Sequence, residues 1–335
     1  MTVMTYPASS SKNITFSPSF TLPVTRRCFN SCLYCGFREA EGGIMDLAEV
    51  EAWLGRARER NCSEVLIISG ERADEIPAIR TSLAERKFAD FGSYIAAVCR
   101  LALKKGLLPH TNIGILDSPT LALLKEVNAS MGLMVENVDS GFGRSVHPQK
   151  IIEKRLKTIE NAGKLRIPFT TGILVGLGES PGSRIASLDW IAGVNRRYGH
   201  IQEVILQNYV PNGKSVLPAF PLSLEEWGDL VAFCRKKMPE VKIQIPPNLN
   251  SLWPKLVLSG IDDLGGISAE IDYVNPQNPW ESVSFYQQHF QSGDFNLIPR
   301  LPLYREYYQR AWFSREVEPV LETWIQRHEF RYYRQ

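Results

Sequence analysis

Short apolar runs alternate with amphipathic helical stretches along most of this chain, and that alternation constrains the fold more than any other feature. EVLIIS (64–69), HTNIGIL (110–116), GLMVEN (132–137), IPFTTGILVGLG (167–178), IQEVILQNYV (201–210) and VKIQIPP (241–247) read as strands, and TLPVTRR (21–27) is β-prone at its start. Between them lie helical patterns. Asp46 opens one, with Leu47, Val50, Leu54 and Ala57 on one face and Glu49 completing a capping box. Ser82 with Glu85 predicts a helix running to about Lys105; Ser118-Pro119 and Ser223 with Glu226 predict two more starts. Residues 149–162 and 183–198 are also helix-like, and 260–276 are less regular. About seven strand–helix steps at this spacing imply a parallel sheet covered by helices. A complete or partial (β/α) barrel and a doubly wound sheet both satisfy the pattern. Polar and glycine-rich elements fall just after strands, and a barrel gathers all such positions at one mouth, so the α/β barrel is the expected fold. The expected organisation is an N-terminal arm (1–18), the barrel (19–300) and a helical, aromatic-rich tail (301–335) packed on it.

The balance of 38 Lys and Arg against 36 Asp and Glu, net +2, demands no nucleic acid or anionic membrane as partner. The apolar runs are too short to span a bilayer, and the N-terminus does not read as a secretory signal, so a cytoplasmic location is expected. Six cysteines in 335 residues do not make a disulfide scaffold.

Three of the six lie together in RRCFNSCLYCGF (26–37), spaced Cys-x3-Cys-x2-Cys as Cys28, Cys32 and Cys35. Three thiolates on one tight loop can each take one iron of a cubane, leaving the fourth iron open for a ligand. Core packing, a zinc site completed by Cys62 or a histidine, and a redox Cys32–Cys35 pair are the alternatives. The flanking Arg26, Arg27, Asn30, Ser31 and Gly36 are loop residues, which disfavours the first. Structural zinc sites usually use two Cys-x2-Cys hooks, and one is present here, which disfavours the second. Cys62, Cys99 and Cys234 are isolated and expected to pack, so a second cluster is not expected.

CFNSCLYC resembles the signature of the radical S-adenosylmethionine superfamily, including the aromatic Tyr34 before the last cysteine. The resemblance implies one [4Fe-4S] cluster on Cys28, Cys32 and Cys35, and S-adenosylmethionine chelated to the open iron by its amino and carboxylate groups. It also implies one-electron cleavage to a 5′-deoxyadenosyl radical and an external one-electron reductant. Tyr34 and Phe37 then neighbour the cofactor. Ser69-Gly70-Glu71 looks like the Gly-Gly-Glu-type motif that holds the methionine amino group, with serine in place of the first glycine. Glu136 is placed to accept the cofactor ribose hydroxyls, and Thr170 or Thr171 to present a hydroxyl to the cofactor.

MGLMVEN, FTTGILVGLGE, IQEVILQNYVP, IQIPPNLN and GGISAEIDYVNP together resemble CofG-type subunits of deazaflavin-forming synthases, from about residue 14 to 300. This implies a lyase acting on a small-molecule adduct of tyrosine's hydroxybenzyl group with ribitylaminouracil, supplied by a CofH-type partner. The tyrosine-using partner itself, biotin-synthase-like and hydrogenase-maturation-like enzymes are the alternatives, with an iron–sulfur electron carrier as the non-enzymatic one. Gln207, Asn208, Gln244, Asn248, Asp262, Asp272 and Asn275 form a polar set after the later strands, suited to a uracil bearing a polyol. Arg144 and His147, in a loop-like stretch, are candidates for holding substrate oxygens or moving a proton.

Overall fold

The computed structural model describes residues 12–268, 272–290 and 295–334. Eight parallel strands close on themselves: β1 (Lys12–Thr25), β2 (Glu64–Ser69), β3 (Leu108–Asn112), β4 (Ser130–Gly132), β5 (Phe169–Val175), β6 (Ile201–Asn208), β7 (Lys242–Gln244) and β8 (Asp263–Ser268). Each pairs with the next, and β8 pairs back to β1, which itself pairs with β2. The sheet is therefore a closed barrel and not doubly wound. Apolar residues that point outward, such as Phe20, Leu22 and Val24 on β1, are fully buried under the surrounding helices.

Strand β1 is long because it serves two partners on one edge. Ser19 pairs with both β2 and β8, and Thr15 with both β8 and β9 (Phe295–Pro299), so β2 and β9 share the edge opposite β8. Residues 12–18, expected in an arm, form the first half of this strand; residues 1–11 lie outside the described residues.

After β9 the chain turns under the barrel. Arg300, Leu301 and Leu303 are buried, and the helices Arg305–Gln309 and Glu318–Ile325 follow. Trp324, Phe330, Tyr333 and Leu321 pack there with Leu108 and Ala129 of the barrel's N-terminal end. The tail thus closes one end of the barrel. The βα loops, including the cysteine segment, surround the other.

Several elements differ from expectation for local reasons. The 82–105 helix is two: Pro77–Glu85, entered at Pro77, and Phe91–Lys104, capped by Asp90 with Ser93 in a capping box. The stretch 140–146, expected as loop, is a helix capped by Asp139, which accepts from the Gly141 and Phe142 amides. No helix among the described residues is long and apolar enough to cross a membrane.

Candidate active site

A cavity of about 380 Å3 opens at the C-terminal mouth and extends down the barrel axis to Arg300 and Pro302. Cys28, Cys32 and Cys35 line its mouth, half-buried and free of disulfides. Backbone bonds tie their loop to its surroundings: Phe29 N donates to Glu71 O (3.0 Å), Leu33 N to Val146 O (2.9 Å) and Val216 N to Leu33 O (2.9 Å), while Cys35 N donates to Cys32 O (3.2 Å) within the loop. Gly70 permits the close packing of the β2 turn on this loop, since a Cβ there would overlap the Arg27 carbonyl and Cys28. Burial pushes the Cys28 thiol up and the Cys32 thiol up to about 11. Both therefore carry protons at neutral pH, which a bound metal would displace.

No group of three or more His, Cys, Asp or Glu side chains among the described residues is disposed to hold a single metal ion. A cubane makes a different demand, one thiolate at each of three separate irons. Three soft, unpaired thiols on one anchored loop facing a cavity fit it.

Beside the loop lie two buried ion pairs. Arg155 donates to Glu71 Oε2 (2.5 Å) and to Met134 O (2.9 Å), and Asn30 Nδ2 donates to Glu71 Oε1 (2.8 Å). Lys150 Nζ donates to Glu136 Oε1 (2.6 Å) and to the Tyr34 hydroxyl (2.8 Å), which lies 3.4 Å from His147 Nδ1. Burial opposes charge on both carboxylates, but Arg155 and Lys150 hold Glu71 and Glu136 below the usual carboxylate range. Burial likewise lowers His147 to about 4, so its ring is neutral. Two buried polar atoms are unsatisfied here: Arg155 Nε and Asn30 Oδ1. A donor and an acceptor left without partners beside a cavity are what an amino-acid head group would use.

Glu136 has φ 65°, a left-handed conformation that is unusual for a residue other than Gly, Asn or Asp. It is held there by Glu136 N donating to Gly172 O and Leu174 N donating to Glu136 O, both 3.2 Å. This turns the carboxylate into the cavity, and Oε2 takes no hydrogen bond among the described residues.

The floor is polar too. Along β6, alternate residues Glu203, Ile205 and Gln207 face inward, as the two-residue period of a strand requires. Arg300 from the tail bonds Asp263 through Nε (2.6 Å) and Glu203 through Nη2 (2.9 Å), and the Tyr304 hydroxyl donates to Glu203 (2.7 Å). Burial pushes Glu203 up to about 8; bidentate pairing with Arg300 outweighs burial at Asp263 and keeps its carboxyl low.

Most residues singled out from the sequence meet in this one cavity. The three cysteines, Tyr34, Phe37, Ser69, Gly70, Glu71 and Glu136 line its mouth, and Thr170 and Gln244 lie deeper, both beside Glu203. Gln207, Asn208, Asn248, Asp272 and Asn275 line the later-strand side. Ala269–Ile271 of the GGISAEIDYVNP stretch lie outside the described residues.

Four expectations need correction. Arg144 is exposed on the helix Ser140–Val146 and does not line the cavity. Thr171 points away from it, donating to Leu133 O (2.7 Å), because Thr170 takes the inward position. Asp262 sits outside the barrel, paired with Arg235 and accepting from Ile243 N (2.9 Å). His147 is buried behind Tyr34, one side chain removed from the cavity. Conversely, Asn30, Lys150, Arg155, His110, Glu203 and Arg300 line it and were not foreseen. A usable signal existed for His110 and Glu203, which are polar at inward positions of apolar strands. None existed for Lys150 and Arg155, whose placement depends on how 149–164 folds back.

Residues 22–191 match the Radical SAM superfamily. Among solved structures, the FeFe-hydrogenase maturase HydG from Carboxydothermus hydrogenoformans is similar in fold, with a TM-score of 0.69, 19% identity and coverage of 97% of this chain and 76% of that one. Methylornithine synthase (PylB) superposes with a TM-score of 0.61, 17% identity and coverage of 92% and 86%. In sequence, the 7,8-didemethyl-8-hydroxy-5-deazariboflavin synthase of Methanosarcina acetivorans is 42% identical over 90% of this chain and 93% of its own length. That of Archaeoglobus fulgidus is 42% identical over 93% and 97%. The chain belongs to the radical SAM superfamily and, within it, to the family of 7,8-didemethyl-8-hydroxy-5-deazariboflavin synthases.

Proposed function

We propose that this chain is the CofG-type component of the synthase. It converts 5-amino-5-(4-hydroxybenzyl)-6-(D-ribitylimino)-5,6-dihydrouracil to the deazaflavin with loss of ammonia. The observation that carries this reading is the continuity of one cavity from three free cysteines to a polar floor, in a chain whose relatives share one activity name over nearly their full length. Cys28, Cys32 and Cys35 would hold one [4Fe-4S] cluster. With an electron from an external reductant, the cluster and S-adenosylmethionine supply a 5′-deoxyadenosyl radical.

The protein's own part is binding and exclusion. Arg155, with Nε unpaired, suits the carboxylate of the methionine moiety; Asn30 Oδ1, also unpaired, suits its ammonium. Glu136 Oε2 suits ribose hydroxyls, while Lys150 and Tyr34 fix the carboxylate's orientation. Gln207, Gln244 and Asn248 offer amide donors and acceptors to a uracil and its polyol. The buried tail beneath the floor keeps bulk water from that end. The adduct itself would come from a CofH-type enzyme. All six cysteines are free, which suits a reducing, cytoplasmic setting.

The test is anaerobic turnover of the reconstituted protein with dithionite and S-adenosylmethionine, given either the adduct or free tyrosine with ribitylaminouracil. Adduct-dependent 5′-deoxyadenosine together with deazaflavin is expected. Turnover of free tyrosine instead would assign the partner's role and overturn the reading.

A further inference from the structure

Nothing so far assigns the group that handles protons during ring closure and ammonia loss. His110 on β3 is buried (8% exposed) and lines the deep part of the cavity. Its Nδ1 lies 2.7 Å from Ser130 Oγ, and Ser130 Oγ lies 2.7 Å from the Pro302 carbonyl oxygen. A carbonyl can only accept, so the single Ser130 proton goes to Pro302. Ser130 must then accept from His110, which puts the imidazole proton on Nδ1. The other nitrogen, Nε2, is left bare.

That bare nitrogen makes no hydrogen bond among the described residues. It faces the small side of Gly132, where a Cβ would come within 2.8 Å of it. The ring is neutral, because burial lowers its pKa below the ordinary value; Glu64 opposes that lowering and Arg300 adds to it. A fully satisfied structural histidine would have both nitrogens engaged. Here one is locked by the tail and the other presents a lone pair to the cavity shared with the cysteines.

We propose that His110 is the general base of the reaction, taking a proton through Nε2 from a nitrogen or oxygen of the bound substrate. This rests on the function proposed above. The substrate N–H or O–H bond breaks, its electron pair stays on the substrate, and the proton forms a new Nε2–H bond. The resulting imidazolium, near Glu64, can return that proton to the departing amine, so that ammonia leaves and His110 is neutral again. No electrons are gained or lost by the residue. Ser130 and the Pro302 carbonyl are positioning groups that fix the tautomer.

The decisive experiment compares wild type with His110→Ala and Ser130→Ala, measuring deazaflavin formed per 5′-deoxyadenosine released, with and without added imidazole. In His110→Ala, adduct-dependent deoxyadenosine is expected to persist while the deazaflavin ratio falls by about 100-fold or more, with partial restoration by imidazole. An unchanged ratio, or a loss that imidazole does not restore, overturns the proposal. Independently of turnover, 15N-histidine NMR of the protein is expected to show His110 protonated on Nδ1 with Nε2 bare, and a mixed tautomer in Ser130→Ala; an Nε2-protonated wild-type ring also overturns it. Wild type that releases deoxyadenosine but no deazaflavin from the adduct would instead contradict the proposed function.

Discussion

At the scale of single residues, the mouth of the barrel combines free thiols with largely buried ion pairs, and these respond differently to substitution. Cys32 is half-buried and bonded to the rest of the loop chiefly through its backbone carbonyl. Cys32→Ala should therefore keep the circular dichroism of the wild type while the reconstituted protein loses most of its iron and sulfide. Unfolding of the variant would point to a structural role for the thiol. Arg155 is different, since its guanidinium neutralises Glu71 with both side chains almost inaccessible. Arg155→Met strands that carboxylate and should cost about 3–5 kcal/mol in urea unfolding. Adding Glu71→Gln should recover a large part of the loss, because the stranded charge is what costs. Equal destabilisation in the single and double variants would mean that packing of the arginine stem carries the effect.

Among elements, the helix starts at Asp46 and Ser223 were legible in sequence because caps are local, whereas those capped by Asp90 and Asp139 were missed. Asp46 accepts from Glu49 N, and Ser223 and Glu226 form the reciprocal box. Strands β8 and β9 were not legible. Two glycines and one aspartate make up half of DLGGIS, and its strand character comes from pairing with β1 and from Arg300 binding Asp263, both distant in sequence. The same holds for the site. The cysteine spacing announces itself, whereas Lys150 and Arg155 reach the cavity only because the chain folds back after β4. His200 shows how one residue couples elements: from just before β6, its Nε2 donates to Ile159 O (2.9 Å) in the helix Ile152–Lys164. Burial lowers it from 6.5 to about 4. Between these values the unfolded chain binds a proton that the folded protein refuses, so stability is intact above pH 6.5 and declines as pH falls towards 4. The loss should reach about 3 kcal/mol for this residue. Denaturant midpoints measured across that range should flatten in His200→Gln, which can still donate to Ile159 but cannot titrate; an undiminished slope would exclude His200 as the source.

For the whole molecule, the two ends of the barrel differ: one is open and the other is plugged. The C-terminal mouth is a polar, ligand-accessible rim. The N-terminal end is plugged by the chain's own tail. Pro302 O accepts from Ser130 and from Gln202 Nε2 (2.9 Å), Tyr333 OH donates to Leu303 O (2.7 Å), and Trp324 Nε1 donates to Gly106 O (2.9 Å). Because this plug also supplies Arg300 to the floor, the tail is part of the cavity lining and not an appendage. Trp324 is among the largest fully buried side chains, and Trp324→Ala should destabilise the fold by about 3–5 kcal/mol. The cysteine loop lies at the opposite end and takes its anchors from Glu71, Val146 and Val216. Iron content of the variant, reconstituted well below its melting temperature, should therefore match wild type, while affinity for the adduct falls as the floor loosens. Iron loss in step with stability would instead mean that the two ends of the barrel unfold as one unit.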